Sequence, residues 1–270
     1  MITDSEFQRI VMYMQKNYGI DLSQKRVLVS GRLENYLARN GYANYDEYMA
    51  KVEKNPNGSE ATDIVNVLTT NHTYFMRESA HFDYLAQVVL PWAKAKAARD
   101  KDLRVWCGAS STGEEPYTLA MVLMDFFGLE HKSWDTRVLA TDVSTRVLEH
   151  ATRGIYLKEQ VEPLPAKWKQ RYFKQISAEE YTVKEELKKE VIFRQFNLMN
   201  PFPFKRKFHV VFLRNVMIYF PNDVKMQLIK KIYDYMEPGG YLFIGTTEGL
   251  DRHNNPFQYV QPSIYRKQGS

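Results

Sequence analysis

Four short apolar runs, alternating with stretches of helical periodicity, constrain the fold of this 270-residue chain most. The runs are LRVWC at 103–107, TRVLAT at 136–141, FHVVFL at 208–213 and GYLFIG at 240–245. Between or after them, Glu115–Phe127, Ser144–Ala151 and Asp223–Met236 read as helices. Buried strands that alternate with helices imply a parallel sheet covered on both faces, hence an α/β fold. Residues 156–195 break the rhythm: charged helical text at Pro165–Phe173 precedes EEYTV and EVIFRQF, which read as a small inserted hairpin. The last apolar run and FQYVQPSIYRK read as a hairpin closing the edge of the sheet.

The chain before residue 80 has a different texture. Ile2–Tyr18, Leu22–Asn40, Tyr45–Glu53 and Ser59–Thr70 carry apolar residues at three- and four-residue spacing, punctuated by glycine and by Asn-Pro-Asn-Gly at 55–58. The expected organisation is an all-helical domain over 1–80, a linker over 81–101 and an α/β domain over 102–270, with a β-subdomain insert near 155–195. A chain of this length accommodates two cores.

Composition narrows the class of function. Residues 1–80 hold nine Lys/Arg against ten Asp/Glu, and residues 81–270 hold 28 against 22, so the net charge of +5 divides into −1 and +6. A nucleic-acid binder would concentrate basic residues on one face among aromatics, so this diffuse surplus points to no nucleic-acid partner. No apolar run approaches the ~18 residues that span a bilayer. MITDSEFQRIVMYMQ has acidic residues early and does not resemble a signal peptide. A cytoplasmic monomer without membrane insertion is expected. Cys107 is the one cysteine, which excludes an intramolecular disulfide and argues against a thiolate zinc site. No metal is expected.

The first strand runs into VWCGASSTGEEPY. Small residues from Gly108 to Gly113, directly after a buried strand, let a ligand approach the backbone, and Glu114, Glu115 and Pro116 suit a helix N-terminus. Two carboxylates there would repel a pyrophosphate. A ligand with positive charge, or with an amino group and ribose hydroxyls, fits better; a plain strand-to-helix turn is the competing reading. The second strand ends in ATDVST, where Asp142 would accept ribose hydroxyls or simply cap the next helix. The third runs into Arg214 and Asn215, with Tyr219 four residues on, at the strand end where open α/β sheets bind ligands. A loop hydrogen bond for Asn215 and a packed aromatic for Tyr219 are the alternatives. Outside the sheet, LTTNHTYFMRE at 68–78 carries Asn71, Thr73 and Arg77. Taken alone, Arg77 and Glu78 read as a solvated helix face.

TTNHTYFMRE, CGASSTGEEPYTLAM, ATDVSTRVLEHATRGIY, FNLMNPFPF, FLRNVMIYF and PGGYLFIGTTEGL occur in this order. Together they resemble the CheR family, the S-adenosylmethionine-dependent methyltransferases of chemoreceptor glutamates, over about residues 5–266. The resemblance implies a Rossmann-like methyltransferase fold behind an N-terminal helical domain, with a small inserted β-subdomain. It implies S-adenosylmethionine as cofactor, with S-adenosylhomocysteine as product, and cofactor contacts from Asn71, Thr73, Arg77, Gly108, Glu114 or Glu115, Asp142, Asn197, Leu198, Arg214 and Asn215. Arg77 and Tyr219 would border the transferred methyl as catalytic residues.

The implied acceptor is a carboxylate, already nucleophilic at neutral pH, so the lack of an obvious Ser-His-Asp or Cys-His arrangement is no objection. The implied partner is the cytoplasmic helical region of chemoreceptors. On the helix around 22–40, Lys25, Arg32 and Arg39 fall seven residues apart on one stripe, a docking face for acidic helices or else a solvated face; the 155–195 insert is a second candidate contact. Three other readings compete. A methyltransferase for an amide or amine would carry an Asn/Asp-Pro-Pro-aromatic loop where this chain reads RNVMIY. A nicotinamide dehydrogenase would need a GxGxxG fingerprint that GASSTG lacks. The third is a non-catalytic S-adenosylmethionine-binding module that docks on receptors.

Overall fold

The computed structural model describes residues 2–56, 58–251 and 254–269. The first four helices are α1 (Asp4–Tyr18), α2 (Arg26–Asn40), α3 (Tyr45–Lys54) and α4 (Ser59–Leu68). Their apolar stripes meet in one core, with Ile10, Met14, Val29, Leu33, Tyr48, Met49, Ile64 and Val65 buried. A capping box starts α1: Thr3 accepts from the Glu6 amide while the Glu6 carboxylate accepts from the Thr3 amide, which holds Glu6 below the usual carboxylate range. Of the Asn-Pro-Asn-Gly punctuation, Asn57 lies outside the described residues, and Gly58 is the N-cap of α4.

The segment over 81–101, expected as a linker, is largely helical and belongs to the second domain. Helix α5 (Ala80–Tyr84), a π turn (Leu85–Val89) and α6 (Leu90–Lys96) run on from one another. Phe82, Leu85, Val89, Leu90 and Ala93 are buried in the core of the sheet domain. Phe82 stacks on Phe212, which stacks in turn on Phe243 at 4.3 Å between ring centroids. The apolar residues of this helix fit the sheet, and a solvent-exposed linker would have left them in water.

Strands β1 (Val105–Gly108) and β2 (Val138–Asp142) flank α7 (Glu114–Phe127), and α8 (Thr145–Arg153) follows β2. The insert then supplies β3 (Ile155–Leu157), α9 (Lys158–Val161), α10 (Ala166–Tyr172), β4 (Phe173–Gln175), β5 (Glu180–Val183) and α11 (Glu185–Lys188). After them come β6 (Val191–Gln195), β7 (Phe208–Leu213), α12 (Asn222–Asp234), β8 (Met236–Ile244), β9 (Gln258–Gln261) and β10 (Ile264–Arg266).

The main sheet has the order β6-β2-β1-β7-β8-β10-β9, parallel from β6 to β8 and antiparallel beyond. The chain leaves β1 toward β2 and β6, then returns to β7 on its other side. The carboxyl ends of β1 and β7 therefore face a crevice at the point where the strand order reverses.

One pairing differs from the sequence reading. EVIFRQF does not form a hairpin with EEYTV: β6 pairs parallel to β2, Val138 opposite Val191, while β5 pairs antiparallel with both β3 and β4. The chain between β2 and β6, comprising α8 and the insert, provides the long crossover that a parallel partner requires. At the C-terminus the expected antiparallel edge forms, with β10 of the FQYVQPSIYRK stretch beside β8 and β9 outermost. The small sheet is fastened to the main domain at Asp125 of α7, whose carboxylate accepts from Trp168 Nε1 at 2.8 Å, Tyr172 Oη at 2.8 Å and Arg171 at 2.7 Å. Buried Tyr156 donates to the Thr112 carbonyl at 2.7 Å, so the insert also supports the turn after β1.

Candidate active site

The turn after β1 is shaped by three backbone positions in the left-handed region: Ala109 (φ 58°), Ser111 (φ 48°) and Gly113 (φ 101°). Glycine is required at 113, where a Cβ would sit 2.8 Å from both Ala151 Cβ and Tyr156 Oη. Strained residues of this kind persist only when their surroundings hold them. Asp142, buried at the end of β2, accepts the Ser111 and Ser144 amides at 2.9 Å each, one per carboxylate oxygen. Each oxygen keeps acceptor capacity for a ligand. Burial nevertheless pushes the Asp142 carboxyl up, against the backbone donors that favour its charged form.

A second cluster forms where β7 ends. Arg214, with a side chain only 1% exposed, pairs with Glu115 at 2.6 Å and Glu78 at 3.1 Å and lies over the rings of Phe82 and Phe212. Its guanidinium also donates to the Arg77 carbonyl. Two carboxylates around one cation leave a net negative charge at this end of the site. Burial raises the Glu78 carboxyl, but Arg214, Asn215 and His81 more than offset that, and Glu78 ends below the usual carboxylate range. Glu78 is therefore no solvated helix residue. Residues 75–79 form turns, with Met76 and Glu78 at positive φ.

The helical domain closes over these strand ends. Asn71 accepts from Ser111 Oγ at 2.8 Å through its carbonyl, and Asn66 from Ser144 Oγ at 2.7 Å. Asn197 Nδ2 donates to the Asn17 carbonyl at 2.7 Å, and the Asp21 amide to the Tyr219 carbonyl at 2.8 Å. Between the domains lies a cavity of about 300 Å³, within the size range of small-molecule sites. Asn71, Thr73, Arg77, Glu115, Asp142, Asn197, Leu198, Arg214, Asn215 and Tyr219 line it.

Gly108 and Glu114 do not line it. Gly108 packs beneath, where a Cβ would come within 2.9 Å of Leu213 Cδ1. Glu114 is buried away from the cavity, bonded by Thr112 Oγ1 at 2.6 Å and by Gln160 Nε2 at 3.4 Å. Of the carboxylate pair left open by the sequence, Glu115 thus faces the ligand space. The cavity wall also contains Ser110 and Ser111 of the small-residue turn, and Phe196 and Lys25, which the sequence reading did not place there.

The basic stripe on α2 separates in space. Arg32 donates to the carbonyls of Val67, Leu68 and Thr69 at 3.3, 3.1 and 2.8 Å, satisfying the C-terminus of α4. Lys25 stands at the cavity, and Arg39 is exposed in the last turn of α2.

An adenosyl sulfonium ligand fits these residues. Asp142 offers oxygens for the ribose, and the Glu78–Arg214–Glu115 cluster suits a cation. Ser110 Oγ and Arg214 Nε, on lining residues, are buried without a hydrogen-bond partner among the described residues, so a polar ligand would complete them. Sheet order, switch-point cavity and acidic strand end together define an S-adenosylmethionine-dependent methyltransferase.

Comparison with known proteins agrees. Residues 71–266 match the family model described as CheR methyltransferase, SAM binding domain, and residues 5–69 match its all-alpha domain. The chain belongs to the CheR methyltransferase family. It is 38% identical to a protein named chemotaxis protein methyltransferase from Borreliella burgdorferi, covering 98% of this chain and 95% of that one. It is 34% identical to the protein of that name from Escherichia coli, covering 98% and 91%. It is likewise 34% identical to chemotaxis protein methyltransferase 1 of Pseudomonas aeruginosa, covering 97% and 98%.

Proposed function

We propose that this chain transfers the methyl group of S-adenosylmethionine to glutamate side chains in the cytoplasmic helical region of chemoreceptors. The observation that carries this reading is the cavity itself: it offers ligands for a cationic adenosyl donor beside Arg77, a guanidinium that can receive a carboxylate. Among its lining residues, Glu115 is bound to Arg214, Asp142 is engaged by two amides, Asp21 lies in the closing loop, and His72 is the lining imidazole. A carboxylate acceptor, with an ordinary pKa of about 4.3, needs no base. An amine or amide nitrogen would need a proton removed.

When bound, S-adenosylmethionine supplies an electrophilic methyl on a sulfonium. Asn71, Thr73, Asp142, Asn197, Leu198 and the Arg214–Asn215 pair would hold the donor, with the Glu115 carboxylate available to its cationic end. Arg77 orients the incoming carboxylate. Its guanidinium donates to the His72 carbonyl at 2.9 Å and lies over Tyr74, leaving further N–H groups for a carboxylate. Tyr219, which lines the same cavity, would border the methyl. Together they position the acceptor and exclude water, which is where methyl transfer between preformed reactants gains its rate. Arg39 and Lys25 contribute attraction for an acidic receptor helix.

The test is to incubate the protein with methyl-labelled S-adenosylmethionine and receptor cytoplasmic fragments. Label released by mild alkali as methanol marks an ester. Alkali-stable label would overturn the glutamate acceptor, and tight cofactor binding without label would favour a non-catalytic docking module.

A further inference from the structure

Glu248 lies in the turn after β8, and its carboxylate reaches across to the segment that follows β7. One oxygen accepts the Asn215 amide at 2.8 Å and the Gly245 amide at 2.6 Å; the other accepts the Ile218 amide at 3.2 Å. The approach depends on Gly245, where a Cβ would fall 2.4 Å from Asn215 Nδ2 and 2.9 Å from the Glu248 oxygen. Asn215 has φ 57°, a left-handed conformation that a non-glycine residue keeps only when held. Its side-chain amide is held separately, by Glu78 at 3.2 Å. Glu248 itself stands behind the cavity wall, outside the lining, while Asn215, Ile218 and Tyr219 are part of that wall.

We propose that Glu248 is a positioning residue for methyl transfer, acting through the 215–219 segment to set the place of Tyr219 at the cavity. Three N–H groups converge on a group that only accepts, and that is work for a carboxylate: an amide of the same shape would turn a donor toward at least one of them. The donor-binding side chains keep their own partners, Arg214 with Glu115 and Asn215 with Glu78. Loss of the Glu248 carboxylate therefore bears on the reacting geometry more than on cofactor affinity. The proposal rests on the methyltransferase reading above.

The experiment compares wild type, Glu248→Gln, Tyr219→Phe and the double variant. It reads kcat on receptor fragments, S-adenosylhomocysteine affinity by calorimetry, and deuterium uptake over 214–220. For Glu248→Gln, kcat is expected to fall about 10- to 100-fold, the scale of a misplaced catalytic contact. Affinity should move less than about threefold, well under the tenfold that a 1.4 kcal/mol contact commands, and uptake over 214–220 should rise. The double variant should fall little below Tyr219→Phe alone, because both changes act through one side chain. A folded Glu248→Gln protein with wild-type kcat and uptake, or losses that multiply in the double variant, would overturn the proposal. If Glu248→Gln does not fold, Glu248→Asp, which keeps the acceptors but shortens their reach, takes its place with the same criteria. Should wild type form no methyl ester on receptors, the acceptor assignment fails on its own, and the uptake comparison still decides the role of Glu248: a rise supports it and no change overturns it.

Discussion

The guanidinium of Arg214, at the end of β7, donates to the carboxylate of Glu115, in the first turn of α7, at 2.6 Å inside a nearly solvent-free site. This contact joins the two strand ends that face each other across the switch point. Glu78 extends the pair to the junction with the helical domain.

Arg214→Met should therefore leave two buried carboxylates uncompensated. Breaking a buried ion pair from one side costs about 3–5 kcal/mol, so a loss of that order is expected in urea denaturation. The double change Arg214→Met with Glu115→Gln should recover part of it. Equal stabilities for wild type and Arg214→Met would contradict this account of the cluster.

Asp142→Asn keeps the size of the side chain but turns one donor toward the Ser111 or Ser144 amide and removes an acceptor for the ribose. S-adenosylhomocysteine affinity is expected to fall at least about tenfold, roughly the 1.4 kcal/mol that a charged hydrogen bond contributes. Calorimetric titration checks it.

Much of this architecture is legible from the residues alone. FHVVFL is strand β7 from end to end, and the apolar runs at 103–107 and 136–141 fall on β1 and β2 within a few residues. Their burial on both faces makes them continuous apolar text, which periodicity detects well. What was not legible depends on distant partners. Nothing local to EVIFRQF tells a hairpin strand from an edge strand reached through α11. Nothing local to Phe82–Ala93 tells a linker from a helix that covers a sheet. Glu78 read as solvated because its partner Arg214 lies 136 residues further along the chain. Arg32 read as a docking charge because the carbonyls it caps belong to another helix.

The position of Arg32 separates docking from stability. Arg32→Glu removes the partner of three terminal carbonyls of α4 and should lower stability by about 1–2 kcal/mol, so weakened receptor methylation in that variant would not isolate docking. Arg39→Glu touches no such contact. It should lower stability by less than about 1 kcal/mol, the scale of a charge at a helix end, while lowering receptor methylation, more so at low salt. Salt-independent methylation in Arg39→Glu equal to wild type would remove Arg39 from the docking face.

Acid should destabilise the protein in a definite window. Burial, then Arg104, with smaller effects from Arg206 and Lys96 and opposed by Asp102, pushes the His209 imidazole down to about 4. Burial and Arg214, opposed by Glu78, do the same to His81. Each histidine thus binds its proton more weakly folded than unfolded, where the pKa is about 6.5. The stability they contribute is whole above about pH 6.5 and is lost as pH falls toward about 4, on the order of 2 kcal/mol per histidine at pH 5. His209 Nδ1 accepts the Arg104 amide at 3.1 Å, a bond that a glutamine oxygen can replace. His209→Gln should therefore flatten the dependence between pH 6.5 and 5, and an unchanged slope in denaturation midpoints would contradict the assignment.

The acceptor is tested most directly by mapping the product. Receptor fragments incubated with this protein and S-adenosylmethionine carrying a trideuterated methyl can be sequenced by tandem mass spectrometry. The account predicts the deuterated methyl on glutamate side chains of the receptor helices, absent when Arg77→Ala replaces wild type. A methyl found on lysine, asparagine or glutamine nitrogen would contradict it.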